Sequence, residues 1–382
     1  MRGRRSTLFS AVRHPGEGRA RGRHDRIATD IVNATALPGG RTLKIQILCT
    51  LGPASMEPEI IRELDARDVD LFRINLSHTP LERVESSIEL VQACSSTPIC
   101  LDTEGAQVRC GEVAEGVILV EGSEILLSAY PVSGSVSSVT LWPESLFEAL
   151  TVGSVLEIDF DGAAVRVTDA SERLARAVVT NAGRVRSNKG VTIDPPPDLP
   201  ALSQKDIAAI ELGSRHGVAD YALSFAANAD DVSRIRSLAP QGSNIIAKIE
   251  SRVGVKNMDA IIDAADAVLI DRGDLSREVP FELVPYVQKT IIRHANRWNR
   301  RVYVATNLLE SMVTGRVPTI AESNDIANTL LDGVHGLVLA AETAVGIDPV
   351  GSVDIVLRGI HAFERSTQID LLDDDRPERP AR

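Results

Sequence analysis

No stretch of this 382-residue chain is apolar for long enough to cross a bilayer. Cysteine is scarce: Cys49, Cys94, Cys100 and Cys110 form no Cys-x-x-Cys pair, and Cys49 and Cys100 lie inside apolar runs. They read as buried free thiols of a reducing compartment, with the cytoplasm as the default location. The seven histidines are scattered, without metal-ligand spacing. Basic charge is in deficit, 41 Lys and Arg against 53 Asp and Glu. A net charge of −12 argues against nucleic acid or an anionic membrane as main partner. It leaves room for a local basic pocket suited to a phosphorylated metabolite.

Hydrophobic content of 43% is ordinary for a globular chain, and the length allows more than one domain. The first forty residues differ from the rest. Arg2, Arg4, Arg5, Arg13 and further arginines sit there among Gly, Ser and His. Residues 1–40 read as a disordered Arg-rich leader or a start placed too early, with a transit peptide as the alternative.

The most informative stretch is 244–276. Ile245, Ile246, Ala247 and Ile249 form a short apolar run suited to a buried strand, and Lys248 and Glu250 leave the same face of it. A charge pair inside such a strand is costly unless something occupies the space between. Gly254 opens a helical stretch through Ala265. A second apolar run, 267–270, then leads into Arg272-Gly273-Asp274. Polar residues at successive strand ends are where α/β folds keep their chemistry. A surface salt bridge and a turn would leave the same local signature.

Along the whole chain, strands are expected at 45–50, 70–75, 99–102, 221–225, 244–250, 267–271, 302–306 and 337–341, each followed by a helical pattern. Ser203 with Asp206 and Thr319 with Glu322 look like capping boxes, and Pro280 is placed to open a helix running to Asn299. Between the third and fourth strands the text alternates apolar and polar in short runs separated by turns, as antiparallel β structure does. The expected fold is α/β, a (β/α)₈ TIM barrel with a small all-β domain inserted after the third strand. The barrel takes 41–111 and 188–366, the inserted β lid 112–187, and 367–382 is a charged, disordered tail.

Set side by side, the strand-end motifs closely resemble the pyruvate kinase family. They are Cys49-Thr50-Leu51-Gly52-Pro53-Ala54-Ser55, Arg73-Ile74-Asn75-Leu76-Ser77-His78, Leu199-Pro200-Ala201-Leu202-Ser203-Gln204-Lys205-Asp206, Ala247-Lys248-Ile249-Glu250, Arg272-Gly273-Asp274-Leu275, the run 305–312 and Glu342-Thr343-Ala344. Their order and spacing carry the signal. The resemblance implies phosphoryl transfer from phosphoenolpyruvate to ADP, giving pyruvate and ATP. Arg73 and Lys248 then match cations at the phosphoryl group, and Glu250 and Asp274 match ligands of Mg²⁺ or Mn²⁺. Gly273 and Asp274 match the backbone that holds the substrate carboxylate, and Thr306 the residue near the carbon to be protonated. Asn75, Ser77, Asp102 and Thr103 match K⁺ ligands, and Arg109 and Lys189 match contacts to nucleotide phosphates. Asp159 or Asp161 corresponds to an acidic contact on the lid.

Several positions depart from the family pattern. Glu104 reverses a charge near the site, and a carboxylate there disfavours polyanions. Gln107 leaves K⁺ dependence open. Asp271 stands where the family has Ala, Ile320 where it has a helix-start Arg, and Ala340-Ala341 replace Ser-Gly. The family commonly carries a further C-terminal domain that binds sugar-phosphate effectors, and none is expected after the last barrel helix here. The expectation is a protein without that allosteric site, at most a homodimer through barrel surfaces. Two other readings stay open: a non-catalytic sensor of phosphoenolpyruvate or nucleotide, and a Mg²⁺-dependent lyase or aldolase on a 2-oxo acid.

Overall fold

The computed structural model describes residues 44–368, apart from 106, 160 and 161. The expected leader lies outside those residues, as does the expected tail beyond the end of the last helix, Pro349–Gln368.

Eight parallel strands close into a barrel: β1 (Gln46–Leu51), β2 (Leu71–Asn75), β3 (Ile99–Asp102), β4 (Asp220–Leu223), β5 (Asn244–Lys248), β6 (Ala267–Asp271), β7 (Arg301–Ala305) and β8 (Gly336–Leu339). Each pairs with its neighbours in sequence, and β8 closes the ring on β1 with Gln46 opposite Gly336. This is the (β/α)₈ barrel that the alternation of strand and helix patterns predicts.

Strand pleating sorts the core into two shells. Leu48, Leu71, Cys100, Ile246, Leu269 and Tyr303 belong to the cluster that fills the barrel lumen. Their neighbours Ile47, Phe72, Leu101, Ile245, Val268 and Val304 pack outward, in the cluster shared with the helices. Successive side chains alternate faces, so both shells are apolar and the strands read as nearly continuous hydrophobic runs. Cys49 and Cys100 are buried free thiols, as expected.

The helices start where capping chemistry places them. Ser203 with Asp206 and Thr319 with Glu322 form the two expected capping boxes. Two other helices differ from expectation. The stretch 254–265 is two short helices, Arg252–Lys256 capped by Ser251 and Met258–Ala264, because Asn257 leaves helical geometry. Its side-chain amide is held by Ala227 O at 2.7 Å. Pro280 precedes a single 3-10 turn, Phe281–Leu283, and the α-helix begins at Val284. Pro285 falls in its first turn, where a missing N–H leaves no bond unmade.

Between β3 and β4 the chain builds a second closed sheet from Val108–Cys110, Glu124–Ser128, Ser138–Trp142, Val155–Ile158, Ala164–Ala170, Leu174–Asn181 and Gly190–Asp194. Val165, Val167, Ala175, Ala177 and Val179 alternate with exposed residues to make its separate core. The first and last of these strands pair antiparallel, Arg109 opposite Gly190, so the two passages to the barrel lie side by side. The sheet thus begins before residue 112 and ends after residue 187. Barrel and insert belong to one compact unit starting at Lys44. Among the described residues no helix is long and apolar enough to cross a membrane.

Candidate active site

At the C-terminal mouth of the barrel, the lumen changes from apolar to charged. Leu71, Cys100, Ala222, Ile246 and Leu269 belong to the lumen cluster. Two residues further along the same strands come Arg73, Asp102, Ser224, Lys248 and Asp271, all buried. A period of two therefore delivers five polar groups into one layer.

Asp102 is their hub. Its Oδ2 lies 3.0 Å from Arg73 Nε and 3.4 Å from Lys248 Nζ. Lys248 also donates to Ser224 Oγ at 3.0 Å, and sits 3.3 Å from Glu250 Oε2 and 4.0 Å from Asp271 Oδ2. Burial alone pulls the Lys248 ammonium down, but Asp102, Glu250 and Asp271 outweigh it and leave it above its ordinary value. Arg73 shows the same balance, burial being overcome chiefly by Asp102 and Asp271. Both side chains stay charged. Arg73 Nη1 is buried with no hydrogen-bond partner among the described residues. An orphan donor on a cation that lines a cleft is a ready contact for an incoming anion.

Three carboxylates gather beside these cations, with one oxygen each of Glu250, Asp271 and Asp274 within 4.8 Å of the others. Glu250 accepts from the Phe225 N–H at 2.8 Å through Oε1, while Oε2 is buried with no hydrogen-bond donor among the described residues. Burial, with Asp274 and Asp271 adding to it against Lys248, pushes the Glu250 carboxyl up to about 8. Asp274 is raised too, by burial first and by Asp271 next. Asp271 is pushed up by burial, yet Lys248, Arg73 and the Thr306 hydroxyl hold it below its ordinary value. Hard oxygen donors so grouped, one of them lacking a donor, fit a divalent cation.

Thr306 follows β7 with φ of +73°, a strained conformation for a β-branched residue. Its hydroxyl donates to Asp271 Oδ1 at 2.7 Å, and its carbonyl accepts from Arg272 Nε and Nη2 at 3.0 and 2.7 Å. A Cβ on Gly273 would meet Thr306 Cγ2 at 2.9 Å, so glycine lets these two strand ends approach. The Gly273 N–H donates to Asp271 Oδ1 at 3.1 Å. That amide, which the family resemblance assigns to a substrate carboxylate, is engaged within the protein.

The residues expected to hold K⁺ lie close together, and three of the four already serve protein donors. Asn75 and Asp102 are register partners across β2 and β3. Asn75 Oδ1 accepts from the Ser77 N–H, and Thr103 Oγ1 from the Ser224 N–H, each at 2.9 Å. Ser77 itself lines the cleft. On the insert side, Arg109 and Lys189 line the same cleft, whose volume is about 1840 Å³. Arg109 donates through Nη1 to Asn188 O at 2.9 Å, and its buried Nε has no partner among the described residues. Asp159 pairs with Arg186 at 2.7 Å, and residue 161 lies outside the described residues. Glu104, the reversed charge, meets Lys205 at 2.8 Å, and Asp206 holds the backbone N–H groups of Glu104 and Gly105 at 2.7 and 3.2 Å.

Two polar groups of the site were given no binding or catalytic role from the sequence, Asp271 being noted there only as a departure from the family's Ala. Ser224 braces the hub, donating to Thr103 O at 2.7 Å while accepting from Lys248. Asp271 grips Thr306. Counting by twos from Ala222 and Leu269 would have put both in the polar layer.

Fold and site together define a (β/α)₈-barrel protein with buried cations and carboxylates at its functional mouth and a β domain inserted beside it. A family profile described as pyruvate kinase, barrel domain, matches residues 42–353. The pyruvate kinase of Sporosarcina psychrophila is 36% identical over 328 residues, covering 82% of this chain and 56% of that protein. That of Methylorubrum extorquens is 35% identical over 335 residues, covering 85% and 70%. That of Thermococcus litoralis is 34% identical over 326 residues, covering 82% and 68%. The chain belongs to the pyruvate kinase family, and in these three alignments it spans between 56% and 70% of the relative's length.

Proposed function

We propose that this chain transfers the phosphoryl group of phosphoenolpyruvate to ADP, giving pyruvate and ATP in glycolysis, within the cytoplasm. One observation carries the reading: two buried cations, Arg73 and Lys248, face the cleft beside a group of three carboxylates. Phosphoryl transfer spreads negative charge over the oxygens of the moving group, so catalysis is mostly positioning and fixed charge.

Arg73, with Nη1 unpartnered, and Lys248 bind the phosphoryl oxygens. Glu250 and Asp274 hold Mg²⁺, and Mn²⁺ suits the same donors; when bound, the cation adds positive charge at the phosphoryl oxygens. The Thr306 hydroxyl, its hydrogen committed to Asp271, offers lone pairs to the cleft and orients the water that protonates the enolpyruvate carbon. Arg109 and Lys189 take the nucleotide phosphates, and the insert excludes water during transfer. Asn75, Ser77, Asp102 and Thr103 are the oxygens for K⁺.

The sensor reading draws on Asp271 in place of the family's Ala, on the expected lack of the further C-terminal domain and on the reversed charge at Glu104. With Lys205 at 2.8 Å, that charge is met inside the protein rather than turned on the substrate. The test is transfer from phosphoenolpyruvate to ADP with Mg²⁺, with and without K⁺, on wild type and Lys248→Met. Turnover that Lys248→Met lowers by about 10²–10³-fold, at unchanged folding, is expected. Wild-type protein that binds phosphoenolpyruvate and turns nothing over would replace the kinase reading with the sensor.

A further inference from the structure

We propose that Asp271 is a third protein ligand of the divalent-cation site, so that the chain holds the cation through Glu250, Asp271 and Asp274 before any substrate arrives. The inference rests on the reading of Glu250 and Asp274 as cation ligands.

The argument begins with how each carboxylate is anchored. Asp271 Oδ1 accepts two hydrogen bonds, from the Thr306 hydroxyl at 2.7 Å and the Gly273 N–H at 3.1 Å. Its Oδ2 has Lys248 Nζ at 4.0 Å, too far for a hydrogen bond. Glu250 is built the same way. Phe225 N–H holds Oε1 at 2.8 Å, and Oε2, on a side chain with 0% exposure, has an ion-pair contact to Lys248 at 3.3 Å but no hydrogen-bond donor among the described residues. Glu250 and Asp271 are thus each anchored by protein donors, the Asp274 N–H also serving the Asp271 carboxylate, and one oxygen from each of Glu250, Asp271 and Asp274 lies within 4.8 Å of the others. Carboxylates held in this way lose little further freedom when a cation binds.

Charge points the same way. Around Asp102, four carboxyl groups (Asp102, Glu250, Asp271 and Asp274) face three cations, Arg73, Lys248 and, 3.6 Å from Asp274, Arg277. Acidic groups outnumber basic ones, and a bound cation offsets the excess. Cation affinity rises with the number of charged oxygen ligands and the rigidity of the site. A site with two carboxylates leans on substrate phosphate to complete its shell, whereas one with three is closer to sufficient by itself.

Asp271 also positions Thr306, and the experiment separates the two roles. Mn²⁺ alone is titrated into the full chain without substrates, with free Mn²⁺ read by electron paramagnetic resonance. Thermal melts with and without Mn²⁺ are run alongside. Wild type, Asp271→Asn and Asp271→Ala are compared. Asp271→Asn keeps an oxygen that accepts from Thr306 and Gly273 but removes the charge. The expected result is Mn²⁺ affinity weakened about tenfold or more in both variants, with a smaller Mn²⁺-induced rise in melting temperature. Wild-type affinity in Asp271→Asn overturns the inference and leaves Asp271 as a positioning residue alone. If Asp271→Ala does not fold, Asp271→Asn decides. Because Mn²⁺ binding is read without turnover, Asp271-dependent binding in a protein that transfers no phosphoryl group would overturn the kinase reading and leave this inference standing.

Discussion

Asp102 Oδ2 stands 3.0 Å from Arg73 Nε and 3.4 Å from Lys248 Nζ, with all three side chains out of solvent. Removing the carboxylate leaves two buried cations competing for Glu250 and Asp271, and unpaired buried charge is among the costliest of single-residue defects. Asp102→Ala should therefore lose about 3–5 kcal/mol of stability in urea unfolding. A loss below about 1 kcal/mol would mean that the remaining carboxylates already satisfy both cations. At this scale the sequence was informative about residue type and silent about partnership. Lys248 and Glu250, two apart in an apolar strand, announced a charged inner face. That Asp102, some 146 positions away from Lys248, would share it could not be read from spacing. Nor could the grip of Asp271 on Thr306, which depends on β6 and β7 ending side by side.

Helix starts are local matters and were legible. Ser203–Asp206 and Thr319–Glu322 need a hydroxyl and a carboxylate three residues apart, and the structure forms both boxes. A third box, Asn228–Asp231, uses the same chemistry with an amide oxygen and was overlooked. Strand register depends on less local contacts. His335, just before β8, accepts the Val302 N–H of β7 on Nδ1 at 3.2 Å. Burial, with Arg301 adding to it, holds this imidazole below its ordinary value of 6.5. A depressed histidine contributes stability that is complete above the unfolded value and is lost as pH falls through the folded one. Thermal melts taken from neutral pH to about 5 should show this loss, and His335→Asn, which keeps an acceptor without titrating, should lose less. Equal losses in both proteins would place the titrating group elsewhere.

For the whole molecule, the decisive feature is a cleft that the barrel and the insert line together. Arg109, on the first strand of the insert, and Lys189, just before its last strand, reach it from the root of the insert, with Arg109 opposite Gly190. On the proposed function these two bind nucleotide, whereas Arg73 and Lys248 bind phosphoenolpyruvate. Lys189→Ala should raise KM for ADP about tenfold, with little change in KM for phosphoenolpyruvate and a weaker response of ADP binding to salt. Equal rises in both constants would assign Lys189 to the shape of the cleft rather than to the nucleotide.

The barrel itself was written in the sequence, because a period-two strand and a capped helix are set by neighbours a few residues apart, and eight such units in a row leave few ways to close. The layer of charge at its mouth was half written: Arg73, Lys248, Asp102 and Asp271 each stand at a strand end where pleating brings them inward. Which carboxylate serves which cation was decided only by closure of the ring. Closure sets strands distant in sequence side by side and buries their ends, where each charge must find a partner or await a ligand.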